Sequence, residues 1–219
     1  CMLLRSPGQP VTAGVHELRR PDRVVDITDG CLLPEAGVAG VWGRLRAEWG
    51  PQARRLPSGD RLRLTLRASE SGEAVLVVEG GYARGRPEEL LATVPGLASI
   101  WHRPEGGELR LLGGAVAVVE SWQGEEVALS GAAFLQVNRG AAALLEAHVL
   151  ERLGDVAGVR VVDAYCGIGL NARRLARRGA RVVGIELDPL AVAAARESAP
   201  PGAEIVQGAV EDRLPDLLP

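Results

Sequence analysis

The chain has 219 residues, 47% of them hydrophobic and 24% charged, with a formal net charge of −3. That composition suits an ordinary globular protein with room for one large core or two small ones, and the negative balance argues against a broadly basic nucleic-acid surface. No apolar run approaches the ~18–20 residues that span a bilayer, and three scattered cysteines, Cys1, Cys31 and Cys166, form neither a disulfide scaffold nor a CxxC pair. The expectation is a soluble cytoplasmic protein with no metal site and no membrane partner. Every basic side chain apart from three histidines is arginine. The chain opens on Cys1 rather than Met and stops just after an expected strand and loop, which reads as part of a longer protein.

The first region, 1–130, reads as a β-rich α+β domain. Residues 24–27 suit a short strand that turns at 28–30 ahead of Cys31. Val38, Val41, Trp42, Leu45 and Trp49 recur at helical spacing. In Arg61–Ala68, leucines at 62, 64 and 66 alternate with Arg61, Arg63, Thr65 and Arg67, the pattern of a strand with one apolar face. A Glu70-Ser71-Gly72 turn then leads into Ala74–Glu79, predicting a hairpin. Pro87 with Glu88 and Glu89 opens a short helix, and 98–102, 109–112 and 116–120 read as further strands. The Arg61, Arg63 and Arg67 stripe reads as a solvated face rather than a phosphate-binding one. His16, His102 and His148 are isolated and are read as ordinary surface or core histidines.

The second region, 131–219, changes period. Asn138 suits a helix cap, and the helix runs to about 153 with Leu144, Leu145, His148 and Val149 as core candidates. Strand 159–164, helix 170–178, strand Arg181–Glu186, helix 189–198 and strand 204–207 follow. That β-α-β-α-β order predicts an α/β fold: the opening of a Rossmann-like parallel sheet, with an exposed edge expected after 204–207. Arg173, Arg174, Arg177 and Arg178 are expected to face solvent near a helix C-terminus, where they suit the dipole.

The chemistry concentrates where strand 159–164 ends in Val161-Val162-Asp163-Ala164-Tyr165-Cys166-Gly167-Ile168-Gly169. Glycines at the carboxyl edge of such a sheet let the backbone approach a ligand closely. The next strand ends on Glu186, an acid placed to grip the two ribose hydroxyls of a nucleoside cofactor. A dinucleotide site puts a third glycine where Ala172 stands, and Asp163 would repel its pyrophosphate. The same carboxylate suits a cofactor that carries an amino group and a sulfonium, which points to S-adenosyl-L-methionine. Two readings of Asp163 stand, a cofactor contact and a turn cap; two stand for Tyr165, a cofactor contact and an aromatic packed on the sheet. Cys166 reads as a small packed side chain inside the turn.

Phe134-Leu135-Gln136-Val137-Asn138, followed by Asp163-Ala164-Tyr165-Cys166-Gly167-Ile168-Gly169, resembles the RNA uracil-C5-methyltransferase family, which carries F-x-Q-x-N and D-L-[YF]-C-G-x-G segments in this order. Val25-Asp26-Ile27 ahead of Cys31 is similar to a strand and cysteine of the family's central domain. The resemblance implies a class I methyltransferase domain, S-adenosyl-L-methionine as cofactor, and a tRNA or rRNA uridine as substrate. It implies cofactor contacts from Gln136, Tyr165 and Glu186, with Gly167 and Gly169 in the tight turn. Leu170 and Ala209 stand where the family usually places polar residues. In the family, the nucleophilic cysteine, the base and a D-P-P-R-like segment follow the part matched here, and an RNA-binding barrel and three iron–sulfur cysteines precede it. No catalytic residue is therefore assigned to this chain, and Cys31 matches the last ligand of that cluster. Two alternatives remain open: a methyltransferase with another substrate, and a non-catalytic cofactor- or RNA-binding module.

Overall fold

The computed structural model describes residues 1–28, 31, 34–122, 124–131 and 139–217. They fall into two compact units, Cys1–Gly131 and Ala132–Pro219. Among the described residues no helix is long and apolar enough to cross a membrane.

The first unit is built on a seven-stranded sheet. Its strands are β1 (Met2–Leu4), β2 (Thr12–Glu17), β3 (Arg20–Asp26), β4 (Arg61–Ala68), β5 (Ala74–Glu79), β6 (Leu97–Arg103) and β7 (Arg110–Gly114), in the order β3-β2-β1-β4-β5-β6-β7. β4 and β5 form the expected antiparallel hairpin, whereas β5 and β6 run parallel. That parallel step requires a crossover, supplied by helix α2 (Pro87–Thr93). Helix α1 (Ala36–Glu48) and α2 cover one sheet face, where Val41, Leu45, Leu90 and Val94 meet Leu62, Leu64, Leu76, Val78 and Ile100. The aspartate of the Val-Asp-Ile strand is structural: Asp26 pairs with Arg46 at 2.9 Å and accepts the Ala13 N–H at 2.6 Å.

β5 is buried along Ala74-Val75-Leu76-Val77-Val78 instead of alternating, because its second face is covered too. Strands β8 (Val118–Trp122) and β9 (Glu125–Leu129) pair antiparallel, and Glu120 accepts the Glu70 N–H at 3.0 Å. Further along the same face, Gly131 presses on Trp101: a Cβ there would lie 2.4 Å from the indole. Arg67 on this face is half-buried and donates to the Gly131 carbonyl at 3.4 Å, so it departs from the solvated stripe expected of it. β1, β2 and β9 are elements the sequence reading missed. His102 is a buried core histidine, its Nε2 2.9 Å from the Gly80 carbonyl.

The second unit contains helix α3 (Arg139–Leu153), then β10 (Arg160–Ala164), α4 (Leu170–Arg177), β11 (Arg181–Glu186), α5 (Pro189–Glu197), β12 (Ala203–Gln207) and the short α6 (Val210–Arg213). The three strands are parallel in the order β10-β11-β12, the predicted β-α-β-α-β. Ala172, Leu175 and Ala176 of α4 and Val192 and Ala195 of α5 pack with Val182 and Ile205 in one core. Both β10 and β12 are edges of this sheet, so the exposed edge expected at 204–207 has a counterpart at β10. Two expectations fail. Leu144, Leu145 and Val149 of α3 are exposed, and the helix meets the core through Leu150 instead. Arg173 is buried at 6% exposure and Arg174 pairs with Glu146 of α3, because α4 is covered on more sides than its sequence suggests.

Candidate functional site

The carboxyl ends of β10, β11 and β12 lie side by side. Register pairs Ala164 with Ile185 and Glu186 with Gln207, so the Tyr165–Gly169 turn emerges next to Glu186. The Cys166 N–H donates to the Ile185 carbonyl at 2.9 Å and fastens the turn to β11. Three residues of this turn take left-handed backbone, Tyr165 at φ +60°, Gly167 at +56° and Gly169 at +79°. The two glycines are required for different reasons. At Gly167 a Cβ would meet nothing within 4 Å, so its backbone faces open space at the sheet edge, while at Gly169 it would lie 3.1 Å from Ala195 of α5.

Glu186 is built into the turn. Its Oε2 accepts the Gly167 N–H at 2.9 Å, and its Oε1 accepts the N–H groups of Leu187 and Asp188 at 2.7 and 2.8 Å. Asp188 caps α5 by accepting from Leu190 and Ala191, with Pro189 at the first helical position. Asp163 accepts a hydrogen bond from the Ala172 backbone on α4, so it ties that helix to the end of β10. Its Oδ2 is buried and has no hydrogen-bond partner among the described residues. Burial pushes the carboxyl up to about 6, with the Ala172 bond opposing the rise. A buried acceptor without a donor is costly, and here it belongs to the strand that leads into the Tyr165–Gly169 turn.

Tyr165 is 68% exposed, which removes the packed-aromatic reading. Its hydroxyl donates to Glu211 Oε1 at 2.7 Å, and that bond raises the phenol's affinity for its proton while lowering the carboxyl's. Glu211, on the first turn of α6, stands two residues after Ala209, where the family usually places a polar residue. Leu187, the residue after Glu186, is 65% exposed and adds an apolar surface to the same rim. Cys166 is half-buried with its thiol pushed up to about 12, chiefly by burial and then by the charges of Asp163 and Glu186. Its Sγ would lie 2.8 Å from a Cβ on Gly184, which is why that strand position is glycine.

The arrangement suits a cationic nucleoside derivative. Glu186 offers carboxylate oxygens to hydroxyls, Asp163 an unpartnered oxygen to an amino group, and Gly167 an approach free of side chain. Gln136 lies outside the described residues. No group of three metal-ligating side chains occurs among the described residues. A groove of about 450 Å³ lies at the opposite, amino-terminal edge, lined by Gly158, Arg160, Arg181 and Glu204 among others. Neither the Tyr165–Gly169 turn nor Asp163 or Glu186 lines it, so the carboxyl edge is the candidate site.

Comparison with known proteins points the same way. A profile described as a methyltransferase domain matches residues 161–217. Human tRNA (uracil-5-)-methyltransferase homolog A is 36% identical over 118 residues, 52% of this chain and 19% of that protein. A 23S rRNA (uracil(1939)-C(5))-methyltransferase of Xylella fastidiosa is 44% identical over 66 residues, 30% of this chain and 15% of its own length. In fold, the chain is similar to the crystal structure of Pyrococcus abyssi tRNA (uracil-54, C5)-methyltransferase in complex with S-adenosyl-L-homocysteine. That match has a TM-score of 0.66 and 19% identity, and it covers 95% of this chain and 54% of that one. The chain spans under a fifth of the length of these two curated relatives. The fold is that of an S-adenosylmethionine-dependent methyltransferase, and the resemblance to RNA uracil-C5-methyltransferases read from the motifs holds.

Proposed function

We propose that this chain is the cofactor-holding part of an enzyme that methylates C5 of uridine in tRNA or rRNA, with S-adenosyl-L-methionine as donor. The observation that carries the cofactor assignment is the pairing of Glu186, bonded to the Gly167 N–H at 2.9 Å, with the buried and unpartnered Asp163 Oδ2 at the same turn. Glu186 takes the ribose hydroxyls and Asp163 the methionine ammonium. Gly167 lets the backbone close on the ligand, and Tyr165, Leu187 and Gln136 supply further contact. When bound, the cofactor supplies an electrophilic methyl group on a sulfonium.

The residues of this chain bind and orient; none of them is assigned to attack the base. Uracil C5 becomes a nucleophile only after a thiolate adds to C6. Cys166 is unsuited to that step, because a thiol pushed up to about 12 stays protonated at neutral pH. RNA is the proposed partner, and the cytoplasm the proposed compartment.

Titration calorimetry with S-adenosylhomocysteine tests the cofactor assignment, and tighter binding of NADH would overturn it. The reaction is tested with the full gene product and RNA carrying tritium at uridine C5. Methyl transfer at C5 displaces that hydrogen, so methylation without tritium release would rule out C5 as the target.

A further inference from the structure

One end of the first unit's sheet gathers charge and an aromatic ring that the cofactor site does not use. β4 runs antiparallel to β5 and β6 runs parallel to it, so the start of β4 lies beside the ends of β5 and β6. There Arg63 stands opposite Glu79 and Glu79 opposite Arg103, one row across three strands. Glu79 holds both guanidinium groups, with Arg63 Nε at 3.5 Å and Arg103 Nη1 at 3.2 Å. One carboxylate cannot balance two cations, and exposed Arg61, on the same strand face as Arg63, adds a third. The Arg63 and Arg103 side chains remain 68% and 45% exposed. A guanidinium has five N–H donors, so each keeps capacity for a further anion. Of two other acids at this end, Asp60 interacts with the half-buried Arg5, and Glu105 is exposed beyond Pro104.

Three residues after Glu79, Tyr82 is 78% exposed on a loop that the backbone clamps from two sides. Its N–H donates to the Ser58 carbonyl at 3.0 Å, and the Ser58 N–H donates to the Ala83 carbonyl at 3.1 Å. On the other side the Gly80 N–H donates to the Arg103 carbonyl at 2.9 Å and the Glu105 N–H to the Gly81 carbonyl at 3.0 Å. The fit is close enough that a Cβ on Gly81 would lie 2.1 Å from the Ser58 carbonyl oxygen. An aromatic ring held out from a fixed backbone loses little freedom when a ligand covers it. We infer that this end of the sheet holds a single-stranded stretch of RNA, Arg63 and Arg103 on its phosphates and the Tyr82 ring stacked on an unpaired base. The inference rests on the RNA substrate proposed above. Excess positive charge beside an exposed ring is the combination that tracks one strand of nucleic acid, since phosphates need cations and every base has a face to stack.

Fluorescence anisotropy with a labelled oligouridine of about ten nucleotides, read across a range of salt, tests this on the chain itself. Arg63→Gln/Arg103→Gln keeps amide donors for Glu79 but removes both charges. The slope of log affinity against log salt should become shallower by about 1.4, at ~0.7 per phosphate contact. Tyr82→Ala should weaken binding by roughly 5- to 150-fold, whereas Tyr82→Phe, which keeps the ring, should bind like the unaltered chain. Tyr82 is a surface side chain, so its substitution leaves the fold intact. If the RNA binds and neither slope nor affinity moves in these variants, the inference is wrong. If the chain binds S-adenosylhomocysteine but no RNA, the inference is again wrong, and tritium release by the full gene product decides the substrate reading separately. Displacement of the RNA by polyglutamate, with Tyr82→Ala silent, would assign the row to an acidic polypeptide and overturn the inference.

Discussion

Asp163→Asn should stabilise the free protein at neutral pH while weakening its hold on the cofactor. Burial raises this carboxyl from 3.8 to about 6, and at ~1.36 kcal/mol per pH unit the ionised form costs about 3 kcal/mol in the folded state. Between the two values the folded state binds more protons than the unfolded one, so stability falls as pH rises through that window and the full cost is present above it. Asparagine keeps an acceptor for the Ala172 N–H and has no charge to bury. It resembles the protonated acid, so its advantage should be close to 3 kcal/mol at pH 8, about half of that at pH 5 and absent below about pH 3. Urea unfolding of both proteins at pH 5 and pH 8 measures the difference. Binding of S-adenosylhomocysteine should drop at least ~10-fold, because the ammonium loses an anionic partner. A stability gap that does not change between the two pH values would refute the reasoning, whatever its sign.

Glu186→Gln should weaken S-adenosylhomocysteine binding by roughly 10- to 100-fold in calorimetry. Glu186→Ala should also lower the melting temperature, since the acid accepts three backbone N–H groups that would lose their partner. Gly167→Val should abolish measurable binding and cost at least ~1 kcal/mol of stability, because φ there is +56° and the side chain would fill the opening. With iodoacetamide at pH 8, exposed Cys1 should react well before Cys166; mass spectrometry finding Cys166 labelled first would contradict the burial argument. Cys166→Ser in the full gene product should retain tritium release, and its complete loss would make that cysteine a candidate nucleophile.

Much of this fold was legible from periodicity. Arg61–Ala68 alternates, the hairpin turn is explicit, and the β-α-β-α-β order follows from apolar runs separated by helical spacing. β5 is the instructive exception, since a strand covered on both faces loses its alternation. β1 and β2 were missed because a three-residue strand and one holding glycine and histidine carry little pattern of their own; pairing of β1 with β4, and of β2 with β1 and β3, makes them strands. α3 shows the reverse, an apolar stripe that is real in the sequence yet exposed in the structure.

The sequence alone determined the turn and its acids: Gly167 and Gly169 because glycine takes left-handed backbone without strain and keeps side chains out of the opening, and Asp163 and Glu186 because each lies at the carboxyl end of a strand. What only the tertiary structure decided is how those groups are paired and charged. That Glu186 bonds Gly167, that Asp163 is left with a buried oxygen and a raised pKa, and that Glu211 reaches Tyr165 all depend on which strands neighbour one another. Local propensity acts over a few residues, whereas Tyr165 and Glu211 stand 46 positions apart and meet only because β10 and β12 flank the same central strand.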